Sequence, residues 1–174
     1  MSREVEVKAR ANLEQVKTRL KELGARLVKV EDQVDTYFEH PCKSLMASDE
    51  ALRLRVSNSG VELTYKGPRE AGGAKSRVEV TLRVHDPCAT KLLLESLGFR
   101  EVVVVRNKRE VYVVGDFEVA LDSVEGLGEF VEVESKGASG ERLQSILQLL
   151  GVGEVVQETY AELVAKLLPG AGRP

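Results

Sequence analysis

Tryptophan is absent from this chain, aromatic residues make up 5% of it, and histidine and cysteine occur only twice each. A mechanism centred on histidine has little to work with, because His40 and His85 are isolated from one another in sequence. Cys42 and Cys88 each follow a proline and lack C-x-x-C spacing, which argues against a zinc or redox centre and for neutral structural thiols. No apolar run approaches the roughly 18 residues of a membrane-spanning helix, and no signal peptide opens the chain. A soluble, cytoplasmic protein with no membrane partner is therefore expected. Nucleic acid is an equally poor partner: 25 basic residues face 28 acidic ones, the formal charge is -3, and no basic block or aromatic-basic stripe occurs. A P-loop is excluded as well, since Gly67-Pro68 and Gly72-Gly73 lack the closing GK[ST].

What the chain does have is strand alternation with charge on one side. Glu4-Val-Glu6-Val-Lys8 places two acids and a base on one face and two valines on the other. Val131-Glu132-Val133-Glu134 followed by Lys136 repeats the pattern, and Arg77-Val78-Glu79-Val80 is a reduced form of it. Arg53 and Arg55 alternate with Leu52, Leu54 and Val56; Glu62, Thr64 and Lys66 with Val61, Leu63 and Tyr65; Glu118, Ala120 and Asp122 with Phe117, Val119 and Leu121. A single such strand is ordinary in an antiparallel sheet with one wet face. Many together leave two arrangements open: charges pointing outward around a sandwich-like core, or charges pointing inward into a polar bore whose outer face is apolar.

Helices are available to cover an apolar outer face. Asn12 reads as an N-cap with Gln15 three residues on, and Leu13, Val16, Leu20 and Leu23 form one stripe before Gly24. Asp86-Pro87 opens a second helix carrying Leu93, Leu94 and Leu97 up to Gly98; a third spans about Glu141 to Leu150, and a fourth about Glu158 to Leu168. The succession of acidic strand, helix, Leu-Gly stop and tyrosine occurs with Glu6, Gly24 and Tyr37, again with Glu79, Gly98 and Tyr112, and loosely with Glu134, Gly151 and Tyr160. That order points to duplicated halves, the alternative being a coincidence of common helix ends. A length of 174 residues suits a single domain over 1–168 with a flexible tail over 169–174.

Inward-facing acids and bases together suit one kind of ligand. Carboxylates alone select a hard cation such as Mg2+ or Mn2+, and cations alone select an anion. The combination describes a metal-bound polyphosphate, with Lys8, Arg53, Arg55, Lys66, Arg77 and Arg109 as the phosphate-binding candidates and Lys108 uncertain in register.

These residues fall in ordered blocks. Besides the blocks at 4–8, 77–79 and 130–134, they include Asp35-Thr36-Tyr37-Phe38, Ala51-Leu52-Arg53-Leu54-Arg55, Leu63-Thr64-Tyr65-Lys66-Gly67-Pro68, Lys108-Arg109-Glu110-Val111-Tyr112 and Leu121-Asp122-Ser123-Val124-Glu125-Gly126-Leu127-Gly128. Together they resemble the CYTH superfamily, the triphosphate tunnel metalloenzymes, and the stretch from Gln33 to Arg55 is most similar to the class IV adenylyl cyclase branch. The resemblance implies an α+β fold: a closed, eight-stranded antiparallel β-barrel, or tunnel, with helices packed outside. It implies Glu4, Glu6, Glu132 and Glu134 as metal ligands for Mg2+ or Mn2+, Glu79 and Asp122 as tunnel-lining acids, and Glu6, Asp122 and Arg55 as catalytic groups. A nucleoside triphosphate, or another inorganic or organic triphosphate, is the implied substrate, and a homodimer is compatible with it. The activity implied first is adenylyl cyclase; the alternatives are hydrolysis of tripolyphosphate or thiamine triphosphate, and binding of polyphosphate or nucleotide without catalysis. One departure stands out: relatives often carry Lys-x-Arg before the tyrosine, where this chain has Asn107-Lys108-Arg109. Alternation then places Asn107 inside beside Arg109 and Lys108 outside, with one phosphate-binding cation missing or shifted by a bulge.

Overall fold

The computed structural model describes residues 5–69, 77–135 and 140–167. The alternating segments form strands β1 (Val5–Arg10), β2 (Arg26–Glu39), β3 (Ala51–Ser57), β4 (Gly60–Lys66), β5 (Glu79–Val84), β6 (Arg100–Val114), β7 (Phe117–Val124) and β8 (Gly128–Ser135). All pair antiparallel in one eight-stranded sheet of order β1-β8-β7-β6-β2-β3-β4-β5. Renaming β1 to β4 as β5 to β8, and the reverse, reads this order backwards onto itself, which matches the expected duplicated halves. The tyrosines break that equivalence. Tyr37 packs with the cluster under the last helix, while Tyr112 packs with the cluster on the opposite face.

The sheet is not the closed barrel expected from the sequence. It ends at β1 and β5, and no ladder joins those strands among the described residues. Part of the reason lies on the outer edge of β1. There Ala9 bridges Val155 and the Lys8 carbonyl accepts from the Val156 N–H at 2.8 Å, so backbone groups that would pair with β5 are already used. The sheet nevertheless rolls far enough that side chains of both end strands line one cavity.

Helices α1 (Leu13–Glu22) and α3 (Gly140–Leu149) cover the convex face. The Asn12 side chain caps α1 by accepting from the Gln15 N–H at 3.0 Å, and Glu129 of β8 accepts from the Leu13 N–H at 3.1 Å. Leu13, Val16 and Leu20 then meet Val119, Leu121, Val131 and Val133 of β7 and β8, with Leu143, Leu147 and Leu150 completing this core. Each such side chain contributes about 1.5–3 kcal/mol on full burial.

Helix α2 (Pro87–Ser96) is capped by Asp86 and started by Pro87 as expected, but of its apolar stripe only Leu94 is buried. Leu93 and Leu97 are exposed, because α2 meets the sheet through Leu94 against Phe38 and Leu54. Helix α4 (Tyr160–Leu167) departs further from the helices-outside expectation. It packs on Val103, Val105, Val124 and Phe130, which lie on the same sheet face as Asn107, Asp122 and Glu132, so α4 sits on the concave side. Cys42 and Cys88 are free and exposed. The tail over 169–174 and most of the loop from Pro68 to Lys75 fall outside the described residues.

Candidate functional site

Strand pleating turns the odd-numbered side chains of β2 and β6 and the even-numbered ones of β7 and β8 toward the concave face. A cavity of about 250 Å³ opens there. Glu6 and Lys8 of β1, Arg53 and Arg55 of β3, Lys66 of β4, Arg77, Glu79 of β5, Arg109 of β6, and Glu132 and Glu134 of β8 all line it. Asp122 lies beneath the lining, fully buried, and Glu4 is outside the described residues.

Most of the cations are held by acids. Arg55 makes a two-pronged contact with Asp35, Nε and Nη2 each 2.6 Å from a carboxylate oxygen. Burial works against the Asp35 charge, yet Arg55 and Arg53 outweigh it and hold the carboxyl below its usual range. Arg109 pairs with Asp122 at 2.6 and 2.7 Å and also donates to Glu132. Lys8 Nζ stands 3.3 Å from Glu132, and Lys66 Nζ 2.6 Å from Glu79. Burial opposes ionisation of Glu132, but Arg109 and Lys8 prevail and lower it to about 2. Lys66 runs the other way: burial, then the neighbouring Arg53 charge, depress its ammonium below the ordinary lysine range. Arg53 is less fully paired than Arg55. Its guanidinium is 3.7 Å from Asp35, and its buried Nε has no acceptor among the described residues.

The acids at one side of the cavity are opposed to one another. Glu6 faces Glu134 across the β1–β8 ladder, and Glu134 faces the exposed Glu118 across β8–β7. Like charges placed directly opposite destabilise a sheet unless a counter-charge intervenes. Their oxygen donors fit a hard divalent cation such as Mg2+ or Mn2+, which binds through one or two carboxylates and leaves its other positions to water and phosphate. No three acids, histidines or cysteines converge as a cation site among the described residues. Glu132 is already committed to Lys8 and Arg109, which makes it a charge partner in this arrangement.

Asn107 falls where alternation places it. It is buried beside Arg109 and donates to Asp122 at 2.6 Å, while Lys108 is exposed on the far face. A shift of register between Tyr37 and Phe38 leaves Val102 as the extra residue of β6 and turns it toward the cavity mouth.

Several participants were not singled out from sequence. Asp35 was visible as part of the alternation Glu31, Gln33, Asp35, all three buried on the concave side. Tyr160 donates to Asp122 at 2.7 Å from the start of α4, and the signal for that helix start was Thr159-Tyr-Ala-Glu162. This is a reciprocal cap: the Thr159 N–H donates to Glu162 at 2.6 Å, and the Glu162 N–H to Thr159 Oγ1 at 3.2 Å. At the mouth, Arg69 binds Asp49 at 2.6 Å and Glu162 at 3.3 Å, tying the β2–β3 loop to α4. No local pattern in the sequence announces that contact.

A rolled antiparallel sheet whose concave face gathers arginines and lysines opposite paired carboxylates is a charged-cavity domain. The chain belongs to the CYTH domain family, whose model matches residues 2–160. A Methanocaldococcus jannaschii protein named "Putative adenylate cyclase MJ0240" is 34% identical over 170 residues, covering 92% of this chain and 97% of that protein. The solved structure of the PH1819 protein from Pyrococcus horikoshii OT3 superposes with a TM-score of 0.87 at 35% identity, covering 95% of this chain and 99% of that one. The fold extends to a Hippeastrum protein, HpAC1, at 20% identity and a TM-score of 0.70, covering 97% of this chain and 98% of that one; its structure is described as revealing a dominant triphosphatase activity.

Proposed function

We propose that this protein is a divalent-metal-dependent enzyme acting on the triphosphate group of a nucleotide, with ATP cyclisation as the first reading. The observation that carries it is the meeting, in one cavity, of Lys8, Arg53, Arg55, Lys66, Arg77 and Arg109 with the opposed carboxylates Glu6 and Glu134. A triphosphate carries about four negative charges, and the unmet Nε of Arg53 is a donor suited to a non-bridging oxygen. Glu6 and Glu134 would hold the cation, with Glu4 and Glu132 as further members of the acidic group. When bound, the cation supplies charge neutralisation along the phosphates.

The residues themselves do the positioning. Lys66, Arg53 and Arg77 grip the phosphate chain; Arg55 and Arg109, steadied by Asp35 and Asp122, fix its direction relative to the cavity axis. In the cyclase reading the ribose 3'-hydroxyl attacks the α-phosphorus and pyrophosphate leaves, so alignment within one substrate contributes much of the rate and no covalent intermediate with the protein forms. An organic substrate is favoured over bare tripolyphosphate because Phe38, Leu45, Met46, Leu52 and Val102 give the same cavity an apolar wall. The "adenylate cyclase" name of the Methanocaldococcus jannaschii relative agrees with this order.

Hydrolysis is the second reading, in which water replaces the ribose hydroxyl. Its support is the triphosphatase described for the Hippeastrum neighbour of the same fold. Incubation with Mg2+ or Mn2+ and ATP, tripolyphosphate or thiamine triphosphate separates the two. Cyclic AMP with pyrophosphate is the expected outcome; orthophosphate assigns the hydrolase, and turnover of none of the three rejects catalysis on triphosphates.

A further inference from the structure

Tyr160 contacts Lys8 and the carboxylate partner of Arg109, although it belongs to a helix that follows the sheet in sequence. Its hydroxyl donates to Asp122 Oδ2 at 2.7 Å, and Asp122 is the carboxylate that holds Arg109 by Nε and Nη2. Its ring lies 4.1 Å from Lys8 Nζ, which also donates to the Glu158 carbonyl at 3.1 Å and faces Glu132 at 3.3 Å. The edge of Phe130, 5.1 Å between ring centres, fixes the ring plane. Burial, with Glu132 and Asp122 adding to it, raises the phenol well above its ordinary range, so the hydroxyl remains a donor.

We infer that Tyr160 is a positioning residue for the phosphate site: its ring orients the Lys8 ammonium and its hydroxyl, through Asp122, orients the Arg109 guanidinium. This rests on the triphosphate reading above and adds to it that α4 sets the geometry of the cations. Long cationic side chains lose orientation easily; a planar ring over one and a neutral donor on the partner of the other remove that freedom before substrate arrives. The Thr159–Glu162 cap places Tyr160 at the first turn of α4, facing inward. The bridge of Ala9 to Val155 anchors the preceding segment to the strand that carries Lys8.

The experiment is titration of a non-hydrolysable ATP analogue, with Mg2+, into wild type, Tyr160→Phe, Tyr160→Leu and Leu163→Ala, below every unfolding midpoint. Leu163 packs α4 on the sheet and does not line the cavity, so it reports loosening of the helix. Tyr160→Phe keeps the ring and should weaken binding about tenfold by removing a hydrogen bond to a charged group. Tyr160→Leu loses the ring as well and should weaken it about a hundredfold. Leu163→Ala should lower the midpoint and leave the affinity unchanged. Wild type that fails to bind overturns the triphosphate reading and this inference with it. Wild type that binds, with Tyr160→Phe equally tight, overturns the positioning role alone. Equal weakening by Leu163→Ala and Tyr160→Phe assigns the effect to helix docking and also overturns it.

Discussion

Strands β7 and β8 present two surfaces that differ by a one-residue step along the chain. On the convex side Val119, Leu121, Val131 and Val133 are sealed beneath α1 and α3; on the concave side Asp122, Glu132 and Glu134 serve the charged cavity. A strand with period two can therefore divide stability from chemistry without dividing the sequence. The division is incomplete, because the fully buried Asp122 and the partly buried Glu132 are themselves ion-pair partners. Some of the chemistry on the wet side is also part of the structure.

Mutations at the boundary should expose that overlap first. Glu132→Ala leaves the buried Lys8 and the partly buried Arg109 short of a partner, so it should cost about 3–5 kcal/mol of stability as well as turnover. Glu6→Ala is the cleaner counterpart. Among the described residues Glu6 forms no ion pair or side-chain hydrogen bond, though its charge supports that of Lys66, so turnover should fall on the order of a hundredfold or more with the unfolding midpoint nearly unchanged. Parallel assays of rate and thermal unfolding distinguish the two variants.

On the dry side the expected loss is in stability alone. Leu20→Ala truncates a fully buried side chain of α1 and should destabilise by about 2–5 kcal/mol in urea unfolding, with KM unchanged in the folded fraction. The last effect is in pH. Glu132 and Glu31 both fall from 4.5 to about 2 in the folded protein: burial opposes each, while Arg109 and Lys8 hold the first and Lys29, Ser59 and Gln33 the second. Depressed carboxyls contribute stability that is complete above the unfolded value and lost as pH falls toward the folded one, so the loss should run from about pH 4.5 toward about 2. Glu31→Gln should flatten that part of the urea-derived profile.

Alternation made the concave face legible in sequence, because charge at every second residue leaves few arrangements open. Asn107 inside and Lys108 outside follow from the same rule. Three things did not follow. Closure of the sheet depends on what occupies the edge of β1, and the segment that does so, at Val155 and Val156, lies far along the chain. The position of α4 depends on an apolar patch within the polar face, Val103, Val105, Val124 and Phe130, assembled from three strands. The exposure of Leu93 and Leu97 depends on where α2 lands, which a helical stripe does not encode.

The central claim is that the opposed carboxylates and the gathered cations hold one metal-bound triphosphate. A crystal structure with Mn2+ and a non-hydrolysable ATP analogue tests it most directly. The account predicts an anomalous manganese signal at Glu6 and Glu134, with phosphate oxygens on Arg53, Lys66 and Arg77. Manganese and phosphates bound elsewhere, with the Glu6–Glu134 face bare, would contradict it.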